Sequence, residues 1–229
     1  VIAVNWVVYI LAVVSGRTYE AALGYFLNPI VTVGLGVLVL GERLRRLQWA
    51  AVGVGALAAI YLTVAGGVVP WIPVVLAASF ATYGLVKKRV GASLAAMQSL
   101  AAETIVLAPV AVGILAWLEV ASTPTLGRHG GVHTGLLLSA GIVTAIPLLF
   151  FAAAARRVPL VTIGLLQFMT PVLQLLCGVL LLGEHVAPAL WVGFGIVWVA
   201  LALLTLDSLR SARAGRAQVA RTDLEDPEP

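Results

Sequence analysis

Long apolar runs, separated by short polar or Gly/Pro breaks, occupy nearly the whole chain. At 1.5 Å rise per residue, about 20 helical residues cross a hydrocarbon core of roughly 30 Å. On that ruler the pattern predicts eight membrane helices. The first is already under way at Val1 and ends near Val14, followed by Glu20–Leu40, Gln48–Val64, Val69–Val86 and Ala95–Leu118. After a Gly-rich loop come Thr134–Ala155, Leu160–Leu182 and Ala187–Leu206. Backbone groups in lipid must pair within their own segment, and the runs are too long for barrel strands. The expected class is an all-α integral membrane protein.

One stretch is written twice. Tyr25 to Glu42, YFLNPIVTVGLGVLVLGE, returns at Gln167 to Glu184 as QFMTPVLQLLCGVLLLGE, displaced by 142 positions without a gap. Over Leu23–Thr63 against Leu165–Thr205, 14 of 41 positions are identical, among them Phe26/Phe168, Pro29/Pro171, Gly36/Gly178, Glu42/Glu184, Trp49/Trp191 and Gly53/Gly195. Matches of Pro, Glu and Trp in register mark an internal duplication. The copies are the second and seventh predicted helices, five apart, so they cross the membrane in opposite directions. That is the inverted-repeat arrangement of secondary transporters. A five-helix repeat divides the chain into residues 1–66, the last three helices of a first unit; 67–206, a complete second unit; and 207–229, a polar tail expected to be disordered and cytoplasmic. It implies a ten-helix parent, with two helices and part of a third absent from the first unit.

Composition sharpens this picture. The chain is 61% hydrophobic and 10% charged, with a mean hydropathy of +1.06, more apolar surface than a water-soluble globule can hide. The net charge of +4 sits in short clusters between runs, which points to no nucleic-acid partner. Counted by alternate loops, twelve Lys/Arg residues (Arg43, Arg45, Arg46, Lys87, Lys88, Arg89, Arg156, Arg157, Arg210, Arg213, Arg216, Arg221) face Arg17 and Arg128 alone. The positive-inside rule then puts the larger set and the C-terminus in the cytoplasm, in a multi-pass protein of the inner (plasma) membrane. Trp49, Trp71, Trp117 and Trp191 fall at helix ends, as interfacial rings do. The single cysteine, Cys177, excludes an internal disulfide. His129 and His133 share a loop without a third ligand, so neither a metal nor a cofactor is expected.

The run from Gly24 to Trp49, together with Tyr83-Gly84-Leu85-Val86-Lys87-Lys88, Glu103-Thr104 with Pro109, Gly141-Ile142-Val143-Thr144 with Pro147, and Asn5-Trp6, resembles the RarD-type permeases of the EamA group in the drug/metabolite transporter superfamily. The resemblance runs from Val1 to about Asp207. It implies ten helices in two inverted five-helix units and the transport of a small molecule.

Residues for such a task can be named from their chemistry. A proline within a helix lacks an N–H and displaces the carbonyl four residues back. Pro29 would free the carbonyl of Tyr25 and Pro171 that of Gln167, beside Asn28 and Thr170. Such breaks near the midplane hold substrates in secondary transporters, while a packing kink healed by neighbours is the plainer reading. Glu103 is the one ionisable side chain well inside a predicted span, about 12 Å from its cytoplasmic end. It is a candidate for binding substrate or a coupling proton; the alternative is a structural glutamate bonded to Ser99, Tyr83 or Ser79. Asn5 and Pro147 align under the same offset and form a second candidate pair. The predicted substrate-binding set is therefore Asn5, Tyr25, Asn28, Pro29, Glu103, Pro147, Gln167, Thr170 and Pro171. Glu42 and Glu184 read as helix-boundary residues. Gly34, Gly36, Gly53, Gly55, Gly178, Gly193 and Gly195 read as points of close helix approach.

The expected function is secondary transport of a small organic metabolite or drug-like compound, with proton coupling as a candidate energy source. No phosphate-binding loop, H-E-x-x-H or G-x-S-x-G occurs, which disfavours ATP-driven pumping and intramembrane hydrolysis alike. The rival reading is a non-transporting membrane scaffold or an inactive truncated fragment. Expected partners are a small-molecule substrate and the bilayer.

Overall fold

A computed structural model describes residues 1–67, 71–121, 127, 130–170, 172–173, 176, 180 and 188–225, without the side chains of 18–19, 66, 121, 189–190, 208–209 and 211–225. Among the described residues all regular structure is helical: α1 (Ile2–Val14), α2 (Thr18–Leu40), α3 (Arg46–Gly66), α4 (Trp71–Val90), α5 (Ala96–Ala121), α6 (Gly130–Arg157), α7 (Leu160–Leu166) and α8 (Pro188–Glu225). Among the described residues four stretches are long and apolar enough to cross a membrane: Glu20–Leu40, Arg46–Ala65, Ala96–Val120 and Gly130–Arg157. Ile2–Val14 and Trp191–Asp207 are apolar but shorter. The chain divides into two units, Val1–Thr82 with Leu160–Pro229, and Tyr83–Pro159.

The first unit is built from the duplicated helices. α2 packs along α7 and α3 along α8, so each helix meets its own repeat partner. The register of contacts fixes the directions. A Cβ placed on Gly164 would touch Val33 and the carbonyl of Pro29, and one placed on Gly36 would touch Val161. As α2 advances, α7 therefore recedes. For α3 and α8, Arg45 pairs with Asp207 while Leu62 meets Gly193, again antiparallel. Both pairs run in opposite directions, as the inverted duplication requires. Their shared core includes Leu23, Phe26, Val33, Ala58, Leu62, Val161, Phe168, Phe194 and Val197. Phe26 leans on Phe194 at 5.4 Å between ring centres, and the ring of its repeat mate Phe168 lies against Gly55.

Close approach through glycine holds at Gly36, Gly55 and Gly193. It does not hold at Gly34, Gly53 or Gly195, where a Cβ would meet nothing within 4 Å. Gly178 lies outside the described residues. The sequence reading missed Gly164, which lets α7 rest on the backbone of α2.

Helix ends differ from expectation by about a turn or more in four places, one being α6, which begins at Gly130 rather than Thr134 and so takes in His133. α4 continues to Val90 rather than stopping at Val86, so Lys87, Lys88 and Arg89 form its last turn, where cations complement the helix dipole. α7 starts at Leu160 as expected but breaks after Leu166. α8 carries on past Asp207 to Glu225, over the stretch read as a disordered tail. Ala, Leu and Arg there are strong helix formers, and composition alone underweights them.

Candidate functional site

In the first unit the duplicated Gly-Glu sequence has a definite mechanical role. Gly41 ends α2 in the left-handed region at φ 66°, its N–H bonding to the Val37 carbonyl at 3.1 Å. This turn aims Glu42 at the start of α7. Its Oε1 accepts the N–H of Leu160 at 2.8 Å and its Oε2 that of Val161 at 2.7 Å. These donors have no partner within α7, and a carboxylate there opposes the positive end of the helix. Gly36 gives the carboxylate room, since a Cβ would stand 3.1 Å from Oε2. Glu42 is thus more than a boundary residue: it clips two helices 118 positions apart. Glu184 lies outside the described residues.

One turn beyond Gly164, the chain reaches Gln167 and Phe168. Here α7 breaks. The N–H of Gln167 is shared between the carbonyls of Ile163 and Gly164, at 3.1 and 3.2 Å, and the N–H of Thr170 bonds to the Gln167 carbonyl at 3.0 Å. Pro171 has no N–H to give that carbonyl, so the donor three residues on takes it, tightening the turn. The carbonyl of Gln167 is therefore not left free as expected. The exposed chemistry is in the side chain instead. Both the Nε2 and Oε1 atoms of Gln167 are buried and have no hydrogen-bond partner among the described residues. Pro171 itself lies outside the described residues.

The other predicted residues of this unit are engaged to different degrees. Pro29 is fully buried and Asn28 is 8% exposed, its Oδ1 within 3.5 Å of the Thr32 hydroxyl, a long contact. The Tyr25 ring stands edge-on to Tyr9 at 6.3 Å. Asn5 donates from Nδ2 to the Leu76 carbonyl at 2.8 Å and to Ser79 Oγ at 2.9 Å, fastening α1 to α4. Ser79 donates onward to the Val75 carbonyl at 2.7 Å. Asn5 is thus a tie between helices.

The second unit holds a charged cluster. Lys87 Nζ lies 2.6 Å from Glu103 Oε1 and 2.7 Å from Ser99 Oγ, with its ammonium 5.3 Å from the centre of the Tyr83 ring. Tyr83 donates its hydroxyl to Glu103 Oε2 at 3.3 Å and stacks on Phe151 at 5.8 Å. The Lys87 side chain is 1% exposed and that of Glu103 29%. Of the structural partners the sequence offered for Glu103, Tyr83 is bonded to it; Lys87 is a cation the sequence reading did not place there, because α4 runs one turn further than hydropathy indicated. The spacing held the signal. Tyr83 and Lys87, and Ser99 and Glu103, are each four apart, placing each pair on one helix face. Pro147 lies in α6 at an exposed position, and α6 remains helical across it.

Comparison with known proteins places this architecture. The EamA-like transporter family matches over residues 69–206. The chain is 52% identical to the protein RarD of Streptomyces exfoliatus, over 96% of this chain and 69% of that protein. It is 41% identical to an uncharacterized transporter of Pseudomonas aeruginosa, over 93% and 70%, and 40% identical to the protein RarD of Escherichia coli K12, over 91% and 70%. No solved structure matches it significantly. With antiparallel duplicated helices, apolar spans and these relatives together, the chain belongs to the EamA-like transporter family and is a multi-pass membrane permease of the RarD type.

Proposed function

We propose that this permease moves a small organic compound bearing hydrogen-bonding groups, and that it meets that compound at the break in α7. The observation that carries this reading is Gln167, whose buried amide donor and acceptor lack partners among the described residues. Leaving such a group unsatisfied costs about 1–3 kcal/mol. A ligand offering one acceptor and one donor would recover that cost, in an otherwise apolar wall, the usual character of a small-molecule site. Tyr25, Asn28, Pro29, Thr170 and Pro171 complete the proposed surface, although α2 stays helical across Pro29. Residues 1–66 act in it as the end of one inverted unit and 67–206 as the other.

The reading includes no catalytic chemistry and no cofactor. It sets the protein in the inner membrane with its C-terminus in the cytoplasm, supported by twelve Lys/Arg residues against two. Two experiments test it. Thermal unfolding of the purified protein against a panel of polar metabolites should reveal compounds that stabilise the wild type and not Gln167→Leu; stabilisation of both alike would contradict the site. In intact cells, an impermeant thiol reagent should label Arg128→Cys and spare Lys88→Cys, and the reverse pattern would overturn the orientation.

A further inference from the structure

The Lys87–Glu103 pair differs from a structural strut in how its two members are tethered. Glu103 lies seven residues inside α5, roughly 10 Å from the helix start, on a short side chain. Lys87 lies three residues before the end of α4, on a long flexible stem. Such a side chain can carry its ammonium toward the aqueous interface while its methylenes stay in apolar surroundings. The ammonium can leave; the carboxylate cannot. The valences are also unequal. Among the described residues Lys87 occupies Oε1, while Oε2 has only the long contact from Tyr83, and Glu103 keeps 29% of its side-chain surface exposed. A planar cation with two parallel N–H donors could bridge both oxygens, which one ammonium held aside by Ser99 Oγ does not.

We propose that Lys87 is an internal stand-in for a cationic group of the cargo, and that Glu103 binds organic cations carrying two or more N–H donors by exchange with Lys87. In the resting arrangement the Lys87 ammonium neutralises Glu103, so no bare carboxylate is left in the membrane. When an amine or guanidinium-type group arrives, it takes the carboxylate and Lys87 withdraws toward the end of α4. The inference rests on the permease reading and adds the charge class of its cargo.

The chain contains only two lysines, Lys87 and Lys88, which makes the exchange directly readable. The purified protein is treated with an amine-acylating reagent, and the labelling rate of each lysine is followed by peptide mass spectrometry. Guanidinium chloride below denaturing concentration is compared with urea, its neutral near-isostere, at matched ionic strength. Lys88, whose Nζ bonds to the Val158 carbonyl, serves as the internal reference. Guanidinium should raise Lys87 labelling several-fold over Lys88, and urea should not. In Glu103→Gln, Lys87 should already label fast and guanidinium should add nothing. Equal labelling of Lys87 with guanidinium and urea in the wild type overturns the exchange, whether or not the variant folds. An equal guanidinium response in Glu103→Gln overturns it as well. Either failure leaves the permease assignment and the Gln167 site untouched, since neither depends on Lys87.

Discussion

The duplicated core and the α4/α5 cluster treat buried polarity in opposite ways. In the core, the carboxylate of Glu42 is committed to two backbone N–H groups at the start of α7, while the amide of Gln167 has no partner among the described residues. In the cluster, each of the four polar side chains has a partner, and one of them, Lys87, carries its charge on a long stem near the end of α4. A vacant neutral pair of donor and acceptor can take a ligand without breaking anything. A neutralised charge pair can take one only by displacing its own cation. The first arrangement suits recognition of shape and hydrogen bonds; the second suits selection by charge.

The contrast can be broken most severely at the charge pair. Lys87→Met strands Glu103 away from water without its cation, and should cost about 3–5 kcal/mol in thermal unfolding of the purified protein. Glu103→Gln should cost no more than about half of that, because Lys87 can reach the interface. Equal penalties would mark the pair as a fixed strut. In the core, Glu42→Ala removes two charge-assisted bonds to a helix start and should cost roughly 2–4 kcal/mol, read by the same unfolding experiment. A loss of only a few tenths would show that α7 is held by packing alone.

Smaller effects separate glycines that matter from those that do not. Gly55→Ala would drive a methyl into the Phe168 ring and should cost about 1–3 kcal/mol. Gly53→Ala meets open space and should be neutral or stabilising by up to about 1 kcal/mol, through helix propensity. Two glycines two residues apart thus give opposite signs, and matching signs would contradict the packing of α3 against Phe168.

Much of this was legible in the sequence, for definite reasons. The duplication and its odd helix separation gave the inverted direction of α2 and α7, which the contact register bears out. The depth of Glu103 was legible because a carboxylate in an apolar run stands out. Its partner was not, because Lys87 opens a Lys-Lys-Arg run that hydropathy assigns to a loop; only the four-residue spacings on α4 and α5 pointed to it. The reach of Glu42 to Leu160 was hidden for another reason. It joins residues 118 apart through one side chain, and no local pattern encodes that geometry. At Pro171 the sequence announced a missing donor, but the expected free carbonyl of Gln167 did not follow. The N–H of Thr170 closed on the Gln167 carbonyl, and the unsatisfied polarity moved to the Gln167 side chain.

That side chain is where the account is most exposed. If Gln167 is kept for a ligand at the expense of the fold, replacing it with an apolar residue of similar size should relieve the unpaired amide. The most direct measurement is the unfolding midpoint of Gln167→Leu against wild type, alone and with each compound that stabilises the wild type. The account predicts a higher midpoint without ligand, worth about 1–3 kcal/mol, together with loss of the ligand-induced shift. A lower midpoint with the shift intact would make Gln167 a structural residue and remove the site.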